Sequence, residues 1–490
     1  MASIYIDQYH NGVFHKEIEC FQGENLYDVL NRHGLKLFGA VCNGAGVCRG
    51  CQVFIVEEGM ECLACRYTIE SEELHIIVQG KLAEQSILLT DGVQNNSEAD
   101  DSSDIVKQAE IQNYSDLGIA FDIGTTTIAS ALINLENGQI LSQIGCLNRQ
   151  AEFGADVISR IQYATSTNPR SRRGLQTMHE LLKSDIESLI QHYISEGYSR
   201  HQIHKLTFSG NTTMIHFLLN LSVNGMSSYP FTPEQLTGIR YEYDNMEIIV
   251  LPGKSAFVGG DIVSGIQYLE LGTQKEFDLF IDLGTNGELW LLNEEQGVCT
   301  STSCGPAFAN SVTKGTVHGT SLLDVLAKAY EDGNVDNTGL LQGEYFDKGI
   351  SCGEILITQE TIRQIQLAKA AILTGIELAA YELRLPLEDI AHVYLAGGFG
   401  FYLNPDSAYT LGMFPQEFRT KLQTVGNTSL SGAIKALFHT DEMLVLPEVL
   451  EKSIVMDLSM NKNFQEFFLH RIEFPNDYTT NERQRNENQI

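Results

Sequence analysis

Apolar and polar positions divide the chain into four stretches. In residues 1–90, short apolar alternations at Ile4–Ile6, Val53–Val56 and Leu74–Val78 predict strands, and the spacing across Leu26–His33 predicts one helix. Residues 95–104, N-N-S-E-A-D-D-S-S-D, have no hydrophobic period. Such a segment cannot bury enough apolar surface to fold, so residues 91–116 are expected to form a flexible acidic linker. From Leu117 the chain turns apolar, and strand-like and helix-like stretches alternate to about Leu469, which predicts a large α/β domain over 117–470. Residues 471–490 read as a polar C-terminal tail, expected to fray from near Asp477.

One pattern recurs inside the large domain. F-D-I-G-T-T-T-I (Phe121–Ile128) is echoed about 160 residues later by I-D-L-G-T-N-G-E-L (Ile281–Leu289). In each, an apolar run ends in Asp, a Gly-Thr turn follows, and a second apolar run resumes. This is a β-hairpin with a carboxylate, Asp122 or Asp282, at its mouth. Backbone N–H groups around such a turn make an anion-binding nest, and an adjacent carboxylate holds Mg²⁺, usually through water. A single Asp-x-Gly turn is common and structural. Two copies followed by a third glycine loop, V-Y-L-A-G-G-F-G (Val393–Gly400), point to a phosphate clamp. Taken alone, that third loop reads more readily as a strand-ending turn than as a nucleotide loop. Neither G-x4-G-K-[ST] nor a G-x-G-x-x-G after a strand occurs, which sets aside a P-loop and a dinucleotide fingerprint.

A second chemistry lies near the N-terminus. Cys42, Cys48 and Cys51 stand in C-N-G-A-G-V-C-R-G-C, and C-L-A-C follows with Cys62 and Cys65. Thiolates are soft ligands for iron–sulfur clusters and zinc. Gly44, Gly46 and Gly50 let the backbone wrap closely around a cluster. Structural zinc sites usually pair one C-x2-4-C with another or with His. No His lies in Val41–Val53, and C-x2-C recurs only as Cys62 and Cys65. The reading is therefore a [2Fe–2S] cluster. Its first interval is one residue longer than the plant-type C-x4-C-x2-C and resembles ferredoxins that serve oxygenases. Cys65 is the expected fourth ligand, because R-Y-T-I after it reads as a strand and L-A-C resembles a fourth-ligand sequence. Cys62, nearer the turn at Glu58–Gly59, is its competitor. The elements of residues 1–90 suit a small α+β, β-grasp ferredoxin. Cys20, Cys146, Cys299, Cys304 and Cys352 are scattered singly and read as small buried hydrophobes.

Composition narrows the partners. The 490-residue chain carries 63 acidic and 32 basic residues, a net charge of −31. Such a surface repels nucleic acid and anionic lipid and favours cationic partner faces. The start M-A-S-I-Y-I-D-Q-Y-H lacks a basic, then apolar, leader, and no apolar run approaches a spanning helix, so a cytoplasmic location is expected. Ten cysteines without a leader fit a reducing compartment.

In their order, the two hairpins and the late glycine loop resemble the acetate and sugar kinase, Hsp70 and actin superfamily, in which two duplicated α/β lobes close on ATP. The resemblance implies phosphate contacts at Asp122, Gly124, Thr125 and Thr126 and at Asp282, Gly284, Thr285, Asn286 and Gly287, with adenosine at Gly397 and Gly398. The whole chain resembles the ATP-dependent reductive activators of corrinoid-dependent enzymes. The matching stretches include N-R-Q-A-E-F-G-A-D-V-I-S-R-I (Asn148–Ile161), S-G-N-T-T-M (Ser209–Met214), F-V-G-G-D-I (Phe257–Ile262), G-P-A-F (Gly305–Phe308) and G-N-T-S-L-S-G-A (Gly426–Ala433). Family members often carry Glu after G-P-A-F, where this chain has Ala309. The resemblance implies an ATP-hydrolysing iron–sulfur reductase with Mg²⁺ as cofactor. It would convert Co(II) to Co(I) on the corrinoid protein of a methyltransferase or related system, fed by an upstream electron donor, and would be a homodimer. No D-x-H-x-x-G corrinoid motif is present, so the corrinoid is assigned to the partner.

Asp261 in V-G-G-D-I either orients the attacking water or caps the helix that follows. Asp156 reads as a cap or an i,i+4 partner of Arg160, and Asn211 as the start of a helix. None of the 13 His residues is assigned a role. Two other readings stand beside the activator: a redox-sensing, ATP-binding regulator without turnover, and an activator of radical dehydratases, against which the separate ferredoxin domain argues.

Overall fold

The computed structural model describes residues 2–8, 14–32, 52–56, 60–69, 71, 73–78, 114–166, 173–284, 286–302, 319–352 and 355–475. Cys42, Cys48, Cys51, Thr285, Ala309 and residues 91–113 of the expected linker lie outside them. The chain divides into two compact units, one built on the first 86 residues and one on those that follow.

In the first unit, strands β1 (Ala2–Gln8), β2 (Phe14–Cys20), β3 (Gln52–Ile55), β4 (Met60–Leu63) and β5 (Glu73–Val78) form one mixed sheet in the order β2-β1-β5-β3-β4. Ile4, Ile6, Val53, Ile55, Leu74 and Ile76 alternate with half-exposed neighbours and share a core with Leu26, Val29 and Leu30 of the helix Leu26–Arg32. One helix on a mixed sheet is the β-grasp layout expected. Two strands, β2 and β4, go beyond the expectation. Ile18 and Cys20 of β2 enter the core, and β4 is four residues long, too short to show a clear alternation. R-Y-T-I after Cys65 is not a strand. Ala64–Arg66 form a 3₁₀ turn, and Thr68 meets Asn25 in a single bridge. The Leu26 N–H donates to the Tyr67 carbonyl (3.0 Å) and the Ile69 N–H to that of Glu24 (2.9 Å), so the chain crosses to the helix N-terminus instead of joining the sheet.

The second unit holds two six-stranded sheets. Strands β6 (Leu117–Ile123), β7 (Thr127–Asn134), β8 (Ile140–Leu147), β9 (Ile203–Gly210), β10 (Ile239–Tyr243) and β11 (Met246–Val250) lie in the order β10-β11-β9-β6-β7-β8. Strands β12 (Phe277–Leu283), β13 (Gly287–Leu292) and β14 (Gly297–Thr302) open the second sheet. After a ribbon of β15 (Ile350–Cys352) and β16 (Ile355–Ile357), strands β17 (Ile390–Ala396), β18 (Leu422–Gly426) and β19 (Ile454–Val455) complete it in the order β18-β17-β12-β13-β14-β19. In both sheets an antiparallel meander is flanked by two strands parallel to its first member: β9 and β11 beside β6, β17 and β18 beside β12. Over five strands each the two lobes share one topology, as the superfamily resemblance implies, while the sixth strands, β10 and β19, lie at opposite edges.

Alternation gives each sheet two buried faces. Leu117, Ile119, Phe121 and Ile123 pack outward on Met178 and Leu182 of the helix Gly174–Ser195, and Leu279, Ile281 and Leu283 pack with Ile365 and Ile372 of the helix Gln359–Glu382. The inner faces are covered by exchange. The helix Gly260–Leu269 follows β11, yet Ile262, Val263 and Ile266 pack with Phe280, Trp290 and Leu292 of the second sheet. The helix Thr428–Phe438 follows β18, yet Leu430, Ala433 and Leu437 pack with Ala120, Ala131 and Ile133 of the first. The two helices touch through small residues. A Cβ on Gly265 would lie 2.6 Å from Thr428 Oγ1, and one on Gly432 would lie 2.5 Å from the Ser264 carbonyl oxygen.

The second lobe runs past the expected boundary at 470. Phe474 is 2 % exposed with its ring tilted against that of Tyr330 (centroids 5.2 Å apart), Lys369 Nζ donates to the Glu473 carbonyl (2.6 Å), and Arg471 pairs with Glu377 (2.7 Å). A buried aromatic side chain and these polar ties anchor the stretch, which composition alone reads as tail. No helix among the described residues is long and apolar enough to cross a membrane.

Candidate nucleotide site

The alternation that buries Phe121 and Ile123 on the outer face turns Asp122 inward, one residue before β6 ends. The same register turns Asp282 inward near the end of β12. The turns that follow are tight. The Gly124 N–H donates to the Thr127 carbonyl (3.0 Å), and a Cβ on Gly124 would stand 2.8 Å from that oxygen. The Gly284 N–H donates to the Asn286 carbonyl (2.9 Å) at the equivalent point. Thr125 is buried, while Thr126 is exposed and its carbonyl accepts from the Asn148 N–H (2.9 Å). Asn148 Nδ2 also donates to the Gly124 carbonyl (3.0 Å), so Asn148 braces the first turn.

The parallel neighbours end beside these carboxylates: Ser209 is opposite Asp122, and Ala396 is opposite Asp282. Gly397 then adopts φ +86°, and a Cβ there would lie 2.5 Å from Asp282 Oδ1 and 2.6 Å from the Leu283 carbonyl oxygen. Only glycine meets both demands. Gly398, by contrast, is exposed, with nothing within 4 Å of a Cβ. In the first lobe the equivalent strand end is Ser209-Gly210-Asn211. There Asn211 starts the helix Thr212–Leu218 by accepting from the Thr213 N–H (3.0 Å).

Four carboxylates gather at this place. Burial pushes the Asp122 carboxyl up, and the Ser429 hydroxyl on Oδ1 (2.7 Å) and the Asn427 amide on Oδ2 (3.0 Å) draw it back. Asp261 is pushed up to about 7, first by burial and then by the charge of Asp122. Asp282 is pushed up to about 8 by burial, then by Asp261 and Asp122. Glu288 lies on β13 directly opposite Asp282 and is raised well above the carboxylate range by burial, then by Asp261 and Asp282, although Ser301 Oγ donates to it (3.3 Å) and Asn286 bonds it. Among the described residues no lysine or arginine offsets this charge. Nor do three His, Cys, Asp or Glu side chains among them sit close enough to grip one ion directly. Uncompensated carboxylates at this spacing suit a hard divalent cation that keeps its water shell.

The structure thus brings together Asp122, Asp261, Asp282 and Gly397, as the sequence predicts. Asp261 does not cap its helix. Gly259 occupies the cap position, and Asp261 is the second helical residue, its carboxylate accepting from the Ile262 N–H (3.0 Å). Asp156 is a cap, held in a reciprocal box with Ser159 (2.7 Å). Asn286, assigned to the phosphate turn, is bonded to Glu288. The sequence motifs alone assign no role to Glu288, Asn148, Asn427 or Ser429, although each lies inside one of them. The available signal was positional: G-N-T-S opens the second lobe's exchanged helix just as G-G-D-I opens the first's. In the first unit, Cys62 and Cys65 both pack half-buried on the core, and Asn25 Nδ2 donates to the Cys65 carbonyl (3.1 Å).

A family model described as the RACo middle region matches residues 117–274, and another, described as the C-terminal domain of RACo, the ASKHA domain, matches 276–317 and 309–484. The corrinoid activation enzyme RamQ of Eubacterium limosum is 25 % identical, the alignment covering 93 % of this chain and 97 % of that protein. A Co(II) methylated amine-specific corrinoid protein reductase of Methanosarcina barkeri is 21 % identical over 73 % of this chain and 77 % of its own. A solved structure of a reductive activator for corrinoid, iron–sulfur protein is 26 % identical and superposes with a TM-score of 0.65, covering 97 % of this chain and 98 % of that one. With both lobes matched, the chain belongs to the RACo family of reductive corrinoid activators, an ASKHA-fold ATPase joined to a smaller N-terminal domain.

Proposed function

We propose that this chain uses ATP to drive the one-electron reduction of a partner protein's corrinoid from Co(II) to Co(I), with a [2Fe–2S] cluster in the N-terminal domain as the immediate donor. The observation that carries the reading is the cleft in which the two hairpin carboxylates, Asp122 and Asp282, meet Asp261 and Glu288 beside glycine turns, in a chain whose lobes match this family. The turns at Gly124, Thr125 and Thr126 and at Gly284, Thr285, Asn286 and Gly287 take the phosphates, and Gly397 and Gly398 the adenosine. Asp122 and Asp282 hold Mg²⁺ through water, and Asp261 orients the attacking water. ATP is needed because the step is uphill. Plant-type clusters lie at about −400 mV, and each tenfold shift of a one-electron equilibrium costs about 59 mV.

Cys42, Cys48, Cys51 and Cys65 are the proposed cluster ligands. Cys65 fits that role because it stands on a 3₁₀ turn tied to Asn25 and so has a fixed backbone. The cluster supplies the electron when bound. Residues 1–90 form this domain, 91–116 the tether and 117–475 the ATPase. The corrinoid belongs to a methyltransferase system or a relative of one, an upstream donor reloads the cluster, and the protein works as a cytoplasmic homodimer without nucleic acid or membrane. Reduced protein mixed with Mg²⁺, ATP and a Co(II) corrinoid protein should raise the Co(I) absorption band, and omitting ATP should prevent it. ATP hydrolysis without any Co(I) would sink the proposal.

A further inference from the structure

Both oxygens of Asp122 are held by side chains that arrive from the other lobe. Asn427 caps the helix Thr428–Phe438. Its Oδ1 accepts from the Leu430 N–H (2.9 Å), which leaves Nδ2 to donate to Asp122 Oδ2 (3.0 Å). Ser429, two residues on and 5 % exposed, donates to Asp122 Oδ1 (2.7 Å). The Ser429 hydroxyl also lies 2.9 Å from Ser209 Oγ on β9, which lies 2.8 Å from Ser264 Oγ on the other exchanged helix. A carboxylate on the first sheet is therefore gripped by the helix that follows β18 of the second sheet, at the point where the two exchanged helices touch.

We infer that Asn427 and Ser429 are positioning residues for ATP hydrolysis. They fix the rotation of the Asp122 carboxylate, so that its remaining lone pairs face the cleft only while the second lobe's helix is seated on the first sheet. This rests on the reading of Asp122 as the phosphate-side carboxylate. Hydrolysis then depends on how the lobes are joined as well as on the hairpins that touch the nucleotide. A carboxylate that is merely present, but free to rotate, orders Mg²⁺-bound water poorly while still attracting the cation. Its loss of order should fall on turnover more than on binding.

The test uses the full-length protein, with steady-state hydrolysis of Mg²⁺–ATP and binding of a non-hydrolysable ATP analogue, which reports a folded cleft. Ser429→Ala should lower kcat about 10- to 100-fold, the scale of one hydrogen bond to a charged group, with KM within about threefold. Asn427→Asp keeps the cap acceptor for Leu430 but turns an anion on Asp122, so it should lose at least as much kcat while still binding the analogue. Ser431→Ala is the packing control. Ser431 is 6 % exposed on the same helix and donates only to the Asn427 carbonyl (3.1 Å), so its loss should leave kcat within about twofold. Wild-type kcat in both Ser429→Ala and Asn427→Asp, or an equal fall in Ser431→Ala, would overturn the inference. Asp122→Ala measured alongside separates the failures. Normal hydrolysis by Asp122→Ala overturns the reading of Asp122 and this inference together, whereas an inactive Asp122→Ala beside wild-type kcat in both Ser429→Ala and Asn427→Asp overturns the positioning role alone.

Discussion

Gly397 and Gly398 are adjacent and chemically identical, yet replacing each with alanine should have different consequences. Gly397 sits at φ +86°, where an L-residue costs about 1–2 kcal/mol. Its new Cβ would also stand 2.5 Å from Asp282 Oδ1 and 2.6 Å from the Leu283 carbonyl oxygen, and overpacking of this kind adds about 1–3 kcal/mol. Gly397→Ala should therefore lose about 2–5 kcal/mol. With an unfolding entropy of about 2.1 cal/mol/K per residue over roughly 400 residues, that is a fall in melting temperature of about 2–6 °C. Relief of the clash pushes on the Asp282 carboxylate itself, so kcat for ATP hydrolysis should fall at least tenfold. At Gly398 a Cβ meets nothing within 4 Å, and alanine should leave the melting temperature unchanged or raise it slightly, since it loses less chain entropy on folding. If adenosine lies against that exposed glycine, Gly398→Ala should raise KM for ATP without touching stability. Calorimetry and steady-state hydrolysis on the two variants decide the matter. A Gly397→Ala protein that melts and turns over like wild type would refute the close-approach argument, and an unchanged KM in Gly398→Ala would remove the adenosine contact.

Asp122→Ala and Asp282→Ala should abolish ATP turnover while leaving the visible and EPR spectra of the cluster unaltered; near-normal hydrolysis by both would dismantle the two-hairpin assignment. Cys65→Ser should lose or alter the [2Fe–2S] spectrum while Cys62→Ser retains it, and the reverse result would transfer the fourth ligand to β4. His216 is wholly buried, bonded from Nδ1 to the Thr212 carbonyl (2.7 Å) and accepting at Nε2 from the Glu234 and Gln235 N–H groups (3.1 Å each), an arrangement that requires the neutral ring. Burial lowers its pKa below 6.5, so the unfolded chain takes up the proton first on acidification. The contribution of His216 is complete above pH 6.5 and is lost as the pH falls toward the lowered folded-state value. His216→Gln should flatten the decline of melting temperature in that window, and an unchanged slope would show that other groups set the acid limit.

Much of the ATPase was legible because its signals are short-range. A strand, an Asp and a Gly-Thr turn are contiguous, and their repetition, in order with the late glycine loop, carries the resemblance that implies two lobes. The carboxylates that complete the cleft were harder to find. Glu288 was in plain sight in I-D-L-G-T-N-G-E-L, but its meeting with Asp282 depends on the register Asp282 opposite Glu288, which a hairpin's turn length sets and a motif does not display. The grip of Asn427 and Ser429 on Asp122 spans about 300 residues and depends on helices crossing between lobes, for which no local pattern exists. R-Y-T-I misled for the opposite reason. Its alternation is real, but a bridge to Asn25 and the pull of the helix N-terminus outweigh pairing with the sheet. At the far end, one buried Phe474 offsets the polarity of its neighbours, a weight that averaging over composition cannot register.

The exchange of helices also sets an order of events at the ribosome. Once Val250 has emerged, the first sheet has all six of its strands, but the face bearing Ala120, Ala131, Ile133 and Ile249 lacks its cover until Leu430, Ala433 and Leu437 are made. At about 5–20 residues per second, those roughly 190 residues take about 10–40 s, far longer than local collapse needs. Through that interval the nascent first lobe carries an apolar sheet face with no partner of its own. The second lobe, whose inner face is covered by a helix already synthesised, faces no such delay. The half of the protein translated first thus waits on residues made with the second half before its inner face is closed, and expression of residues 117–275 alone should yield an aggregation-prone fragment where the full chain folds.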